Sequence, residues 1–250
     1  MVLAQREWVR FLRQRNRVIG ALATPIVFWL LIGSGMGRSF NPTGAAGAEG
    51  YLSYFFPGTL LMILLFTAIF STISIIEDRR EGFLQGVLVA PVGRSAIVLG
   101  KVIGGAVLAT GQAVLVMLLG LLSGVVTFHA VGLLASVGVM FVTACGLTAL
   151  GLCIAWRLSS TQGFHAIMNL FLLPMWMLSG ALFPVRDDTP QLLKLVMLSN
   201  PLSYALTSLR ATMNGHVAIM PMLVAGAATV VMTCVALRVA RTRSVVDAAV

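Results

Sequence analysis

The chain has 250 residues, of which 58% are hydrophobic and 10% charged, and its mean hydropathy is +0.97. Soluble domains are about 45–50% apolar, so this composition excludes an ordinary soluble domain and indicates an integral membrane protein. The net charge of +9 would suggest a nucleic-acid partner in a soluble protein. In this apolar chain we assign it to membrane topology and anionic lipid headgroups, and we expect no nucleic-acid partner.

The basic N-terminus predicts an amphipathic helix that lies in the headgroup plane. Arg10 and Arg13 belong to a row of arginines at helical spacing, and Trp8 and Phe11 fall on another side of the same helix. Arg15 falls on the apolar side and weakens the pattern. The alternative is a plain basic flank that only sets the orientation of the chain.

Six long apolar runs follow, and none of them contains Asp, Glu, Lys or Arg. Each is long enough to cross a hydrocarbon core of about 30 Å at about 1.5 Å per helical residue. We see no internal repeat and no large soluble domain, so residues 1–250 are expected to form one all-α transmembrane domain. The predicted spans are about 18–37, 51–76, 102–126, 131–156, 163–185 and 217–237.

Six spans place both termini on one side of the membrane. The side of the termini holds 13 of the 17 Lys and Arg residues, and the other side holds 4. Cytoplasmic loops carry the excess of positive charge in membrane proteins. The count therefore predicts cytoplasmic termini, and it places the charged stretch that begins at Glu77 in the cytoplasm.

The sequence lacks the residues for several kinds of energy coupling and catalysis. Ion-coupled carriers usually hold ionisable residues within the membrane, and the six runs have none. A phosphate-binding G-x-x-x-x-G-K-[ST] loop and a zinc-binding H-E-x-x-H are missing. Ser179 has no supporting catalytic partner, and the three cysteines lie in apolar runs without metal-ligand spacing. We expect no catalytic, cofactor or metal site in this chain, and an intramembrane hydrolase is the least favoured function.

The most unusual stretch runs from Glu77 to Lys101, between the second and third spans. It opens with five consecutive charged residues, and Asp78 with Glu81 resembles a pair that caps a helix N-terminus. The apolar segment that follows is too short to span, and Pro91 would end its helix. The pattern predicts a short cytoplasmic helix. Its contact face would consist of Phe83, Leu84, Val87 and Leu88.

Two partners fit such a ridge. It could sink into lipid as a re-entrant elbow, or it could fit a groove on another protein. The charges at 77–81 are of both signs, which favours recognition of a protein over anionic lipid, because lipid headgroups would select cations alone.

This stretch resembles the ABC type-2 transporter permeases, which carry E-x-x-x-G-T-L-x-x-L-L-x-x-P-x-S/T-R between their second and third spans. The matching residues are Glu77 or Glu81, Gly82, Leu84, Leu88, Pro91 and Arg94, with Phe83 where the family usually has Thr. A second family motif is a small-residue turn that ends the fifth span, followed by N-P-L/V-x-Y/H and a basic residue. The chain has LSGALFP at 178–184, NPLSY at 200–204 and then Arg210. The resemblance covers the whole chain and is greatest to drug-resistance and nodulation-factor export permeases.

The resemblance implies a permease subunit of an ATP-driven exporter in the bacterial plasma (inner) membrane. The permease would pair as a homodimer or with a sister permease. Two copies of a separate ATP-binding subunit would dock beneath it and would bind the ATP and Mg that this chain does not bind. The residues that would contact that subunit are Glu77, Arg80, Glu81, Gly82, Phe83, Leu84, Val87, Leu88, Pro91 and Arg94.

Two further elements follow from the resemblance. The N-terminal amphipathic helix would be an interface helix that moves with the coupling helix. Residues 186–210 would form two short re-entrant helices at the outer face, broken at Asn200 and Pro201. The outer gate would then include Ser179, Gly180, Pro184, Asn200, Pro201, Tyr204 and Arg210.

The alternative function is an ATP-independent secondary carrier or channel. Transport without ATP or a partner subunit would favour that alternative. The cargo stays open on sequence alone, because apolar spans without fixed charge fit an amphipathic or lipid-like molecule and fit a glycan equally well.

Overall fold

A computed structural model describes residues 15–36, 48–82, 93–125, 129–184 and 189–242. Within these ranges the chain is helical, with no strand. The helices are α1 (Arg15–Met36), α2 (Ala48–Ser71), α3 (Ile73–Arg80), α4 (Arg94–Leu122), α5 (Ala130–Ala155), α6 (Thr161–Trp176), α7 (Gln191–Ser199), α8 (Pro201–Met213) and α9 (Ile219–Thr242). A π-helical turn, Met177–Ala181, continues α6.

Five helices in the described ranges are long and apolar enough to cross a membrane. The first of them joins α2 and α3 into one helix of 31 residues, Gly50–Arg80. The others are Arg94–Leu122, Ala130–Ala155, Thr161–Ala181 and Ile219–Ala240, and α1 contributes a shorter apolar segment, Ala23–Gly35. The chain is therefore a multi-pass membrane protein.

The helix α2 lies at the centre of the bundle. It packs against α1, α4 and α5. In the most apolar 18-residue stretch of the helix Gly50–Arg80, 83% is buried, compared with 11% in the corresponding stretch of α9. Aromatic side chains help to fill the space around it. Phe55 meets Trp176 edge-on at 6.0 Å between ring centroids, and Phe56 meets Trp29 of α1 in the same way at 5.3 Å.

Glycines allow the helices around α2 to approach closely. A Cβ at Gly105 of α4 would lie 2.5 Å from the hydroxyl of Ser71 and 2.7 Å from a methyl of Thr148 in α5. A Cβ at Gly151 would lie 2.8 Å from the hydroxyl of Thr72. Since lipid tails are as apolar as the helices, such close packing rather than hydrophobicity holds membrane helices together.

The helices on either side of residues 83–92 extend beyond the predicted spans. The second span was predicted to end at Ile76, but the helix continues to Arg80, and α4 begins at Arg94 rather than near Val102. The predicted N-terminal cap at Asp78 is wrong, because Asp78 lies in the last turns of α3 and its carboxylate contacts Lys101. Pairing these charges lets both helices continue.

Several predicted site residues lie outside the described ranges. The interface residues Trp8, Arg10, Phe11 and Arg13 precede residue 15, and the predicted contact ridge falls within 83–92 together with Pro91. The roles of these residues stay predictions.

Candidate functional site

The bundle has two ends with distinct polar clusters. The ends of α3 and α5 and the starts of α4 and α6 meet at one end, which we call the Arg79 end. The turn at 177–181, the start of α2 and the helices α7 and α8 meet at the other, which we call the Gly180 end.

A buried ion pair joins α3 to α4 at the Arg79 end. The Nζ of Lys101 lies 2.9 Å from Oδ2 of Asp78 and donates a second hydrogen bond of 2.9 Å to the hydroxyl of Ser74. The side chains are only 6% and 1% exposed. Two charges this deeply buried are tolerated because they neutralise each other and because the Ser74 hydroxyl accepts a further hydrogen bond from the ammonium. The pair fixes α3 and α4 to each other on both sides of residues 83–92.

Two arginines tie the end of α3 to the loop between α5 and α6. The guanidinium of Arg79 donates from Nη2 to the Trp156 carbonyl at 2.9 Å and from Nη1 to the Leu158 carbonyl at 3.2 Å. The Nε of Arg80 donates to the Ser159 carbonyl at 3.0 Å. These carbonyls lie just past the end of α5, where carbonyl groups lack helical partners. We call this set of three hydrogen bonds the arginine clamp.

The predicted ATPase-contact residues that the structure describes lie together at the Arg79 end. Arg80, Glu81 and Gly82 are exposed, and Glu77 is half-buried. Gly82 ends α3 with a φ of +73°, a left-handed conformation that suits glycine. Arg94 opens α4, and its Nη1 lies 3.4 Å from the Ala240 carbonyl near the end of α9.

A second cluster closes the turn at the Gly180 end. Gly180 has a φ of +85° inside the turn, and its carbonyl accepts hydrogen bonds from the Tyr54 hydroxyl at 3.1 Å and from Nη2 of Arg210 at 2.9 Å. The guanidinium carbon of Arg210 lies 4.1 Å from the centroid of the Tyr54 ring. We call Tyr54, Gly180 and Arg210 the Gly180 latch. It joins α2, the end of α6 and α8 through one carbonyl.

The charge of Arg210 is stabilised without a carboxylate among the described residues. Burial lowers the pKa of its guanidinium, and the neighbouring Tyr54 opposes that shift. An arginine nonetheless stays charged at physiological pH. The ring face of Tyr54 and the Gly180 carbonyl both attract a cation, so the contacts that hold the latch also compensate a partly desolvated charge.

Asn200 connects α7 and α8 to the last turn of α6. The two helices meet at this residue, where the family motif has its Asn-Pro pair. The side-chain oxygen of Asn200 accepts from the Leu202 amide at 3.0 Å, and its Nδ2 donates to the Met175 carbonyl at 2.6 Å. Pro201 then starts α8, where a missing amide proton costs nothing.

Two of the predicted outer residues, Gly180 and Arg210, are joined directly by a hydrogen bond, and Ser179 precedes Gly180 in the same turn. The buried Ser179 hydroxyl donates to the Trp176 carbonyl at 2.6 Å, which is a helix-end contact. Pro184 follows the turn, and Tyr204 is half-buried on α8. The tyrosine that reaches the Gly180 carbonyl is Tyr54.

Sequence reasoning missed the residues that hold these clusters. It gave no role in the site to Tyr51 and Tyr54, whose hydroxyls donate hydrogen bonds to the carbonyls of Leu182 and Gly180. Their spacing of three places both on one helix face, which was the available signal. Lys101 was noted only as a charge, and its pairing with Asp78 could not be inferred from a single chain.

A small cavity lies between α5, α8 and α9. Its volume is about 50 Å³, far below the ~300 Å³ at which ligand pockets usually begin. Its lining includes Thr143 and Thr229, whose hydroxyls already bind the carbonyls of Val139 and Val142. This cavity is far smaller than a typical ligand pocket.

The sequence is similar to those of known transport proteins. The sequence model of the ABC-2 type transporter family matches residues 1–214. A Cyanophora paradoxa protein that carries the name transport permease ycf38 is 28% identical over 211 residues, which is 84% of this chain and 72% of that protein. Nodulation protein J of Rhizobium leguminosarum bv. viciae is 26% identical over 205 residues, which is 80% of this chain and 75% of the relative.

A drug-resistance protein is also similar. The daunorubicin resistance ABC transporter permease protein DrrB1 of Streptomyces coeruleorubidus is 24% identical over 207 residues, covering 80% of this chain and 69% of the relative. The five long apolar helices of the described ranges define the class as a multi-pass membrane protein. The chain belongs to the ABC-2 type transporter family, and it is a transport permease of an ABC system whose partner is an ATP-binding subunit.

Proposed function

We propose that this chain is the membrane subunit of an ATP-driven exporter. Energy enters at the Arg79 end, which faces the cytoplasm, and cargo leaves at the Gly180 end. The observation that carries the proposal is the connected Arg79 end. The ion pair and the arginine clamp join α3, α4 and the α5–α6 loop beside the family's coupling motif. A push on this end would therefore move several helices together.

The ATP-binding subunit is proposed to contact the stretch from Glu77 to Arg94. Exposed Arg80 and Glu81 offer both signs of charge there, which suits electrostatic recognition of a protein partner. The partner subunit would bind the ATP and Mg. The N-terminal segment would act as an interface helix beside this contact.

We propose that two permease copies, each with one ATP-binding subunit, form the working unit in a bacterial plasma membrane. The cavity described above is far smaller than a typical ligand pocket, which favours a path between two copies. The six apolar runs would be the spans of each copy, and the charge distribution favours cytoplasmic termini. The turn at 177–181 with α7 and α8 would form the outer gate. Backbone breaks at membrane depth occur where protein or water satisfies them, and the bonds of Gly180 and Asn200 satisfy that condition here.

Co-purification with the ATP-binding subunit tests this function. The double variant Glu81→Arg and Leu84→Arg inverts a charge and places another in the predicted apolar ridge, so it should abolish capture of the subunit. The matched control is Asn214→Arg, which adds a charge at an exposed position of the Gly180 end and should leave capture intact.

Two results would contradict the proposal. One is equal capture by the double variant, which would remove the coupling contact. The other is transport by the purified permease in vesicles without ATP or partner, which would establish the secondary-carrier alternative.

A further inference from the structure

The arginine clamp and the Gly180 latch lie at opposite ends of one helix. The clamp holds the Trp156, Leu158 and Ser159 carbonyls, and α6 begins at Thr161, two residues after Ser159. The latch holds the Gly180 carbonyl within the turn that continues α6. With 16 residues, α6 alone is about 24 Å long. It therefore connects the two polar clusters directly.

We propose that Arg79 and Arg80 are positioning residues that transmit movement of α3 through the 156–159 loop and along α6 to the Gly180 latch. This inference rests on the proposed ATP-driven function and adds a route through the chain. In it, α6 acts as a rod with the clamp as its inner attachment and the latch as its outer one.

The inner attachment has the geometry of a rigid connection. Arg79 binds two carbonyls with the two terminal nitrogens of one planar guanidinium, which fixes direction as well as distance. Arg80 adds a third bond one residue on. Ser160 caps α6 by accepting a hydrogen bond from the Gly163 amide at 3.3 Å, so the 156–159 loop continues directly into the helix. A displacement of α3 must therefore carry the start of α6 with it.

The outer attachment has features that permit switching. Pro174 lies in the last turn of α6 and removes one amide donor there. The π-helical turn follows, with Gly180 in its left-handed conformation. Trp176 anchors the junction by donating to the Gly58 carbonyl at 2.8 Å. The helix α6 is regular before Pro174 and irregular after it, so movement along α6 would be concentrated at the latch. There the hydrogen bonds from Tyr54 and Arg210 to the Gly180 carbonyl would be the ones to break.

The alternative role of the clamp is structural. Three donors placed on carbonyls past the end of α5 could serve only to satisfy those carbonyls. In that case their loss would lower stability without affecting the outer end during the ATP cycle. The test must therefore measure movement of the turn as well as stability.

The experiment uses the full permease with its ATP-binding subunit in lipid nanodiscs. Cys145, Cys153 and Cys234 are replaced by Ala, and nitroxide labels are attached at Met177→Cys in the turn and Leu122→Cys at the end of α4. Both native side chains are exposed. Labelled chains are diluted with unlabelled ones, so that pulsed EPR reports distances within one chain. Nucleotide-free samples are compared with ATP and vanadate-trapped samples.

The unmodified background should show an ATP-dependent shift of the distance distribution. Arg79→Gln removes the two bonds to the Trp156 and Leu158 carbonyls and leaves the exposed Arg80 in place for the ATP-binding subunit. It should lose that shift while the complex still assembles and hydrolyses ATP. Arg157→Gln is the matched control, because it removes an exposed arginine charge from the 156–159 loop without removing any bond of the clamp, and it should keep the shift. If Arg79→Gln does not assemble, Arg79→Lys replaces it. That variant keeps the charge but loses the fork that holds two carbonyls, and it should show the same loss.

The outcomes separate the two proposals. A full shift in the clamp variant, even with a lower unfolding temperature, overturns the transmission role and leaves the exporter function standing. Loss of the shift in Arg157→Gln as well overturns it too, since the loop charge rather than the clamp would then matter. Absence of any ATP-dependent shift in the unmodified complex overturns this inference, whereas the ATP-driven function is overturned only by the capture and vesicle experiments described above.

Discussion

At the scale of single residues, the buried ion pair is the costliest arrangement in the described part of the bundle. Moving Asp78 and Lys101 out of water costs several kcal/mol per ion, which their attraction at 2.9 Å must offset. Pairs of this kind are seldom better for stability than apolar residues of the same size. We therefore assign the pair to holding α3 and α4 in register rather than to net stability.

The ion pair gives a prediction about the loss of one of its charges. Asp78→Asn removes the carboxylate that lies 2.9 Å from the buried ammonium of Lys101 and should destabilise the protein by about 3–5 kcal/mol. Asp78→Leu combined with Lys101→Met removes both charges and should cost far less. Unfolding in detergent, followed by circular dichroism against denaturant, compares the two. Equal losses of unfolding free energy in the two variants would show that the attraction between Asp78 and Lys101 contributes to net stability.

Gly180 gives a prediction about backbone conformation. Nothing lies within 4 Å of a Cβ built at this position, so Gly180→Ala would add strain only through its φ of +85°. That strain should cost about 1–2 kcal/mol in the same unfolding assay. The control is Gly111→Ala, which has equal space in a regular helix and should gain up to ~1 kcal/mol. An unchanged stability for Gly180→Ala would mean that the turn relaxes to another conformation.

At the scale of elements, the sequence predicts where helices are but not how they pack. Length and hydropathy place the core of every long helix in the described ranges, because an uncharged run of that size has few alternatives in a membrane. The ends depend on contacts between distant residues. Lys101, for example, lies within α4, which begins at Arg94, and pairs there with Asp78 of α3. Likewise, Gly33 and Gly120 belong to G-x-x-x-G patterns, yet only the structure shows that they face Leu52 and Phe56 of α2.

Close packing of α5 against the junction of α2 and α3 is tested by two glycines of α5. A Cβ at Gly151 would lie 2.8 Å from the Thr72 hydroxyl and 3.2 Å from the Ile69 Cα, whereas at Gly138 it would meet nothing within 4 Å. Gly151→Ala should therefore destabilise by about 1–3 kcal/mol, since backbone must move. Gly138→Ala should be neutral or stabilising by up to ~1 kcal/mol. Similar effects of both substitutions on the denaturation midpoint would contradict the packing of α5 on α2.

At the scale of the whole molecule, sequence motifs predict two functional ends, and the structure supplies the contacts between helices. Gly180, Asn200 and Arg210 were predicted as outer residues from a motif, and that location stays a prediction. In the structure Arg210 donates to the Gly180 carbonyl, and Asn200 donates to the Met175 carbonyl. Tyr54, which completes the latch, is 126 residues from Gly180 in sequence. No local pattern encodes such a pairing, so it required the folded chain. The same holds for Arg79, whose partners lie 77 and 79 residues away.

The orientation of the bundle gives the last prediction, because the direction of export depends on it. The charge count places the Arg79 end in the cytoplasm, so Ser159→Cys in the α5–α6 loop should react with a membrane-impermeant maleimide only after cells are permeabilised. Asn214→Cys, after the end of α8, should react in intact cells. Both positions are exposed, and the clamp uses the backbone carbonyl of Ser159, which the substitution retains. The background again lacks Cys145, Cys153 and Cys234. Labelling of Ser159→Cys in intact cells, with protection of Asn214→Cys, would invert the topology, and the Arg79 end could then no longer receive an ATP-binding subunit from the cytoplasm.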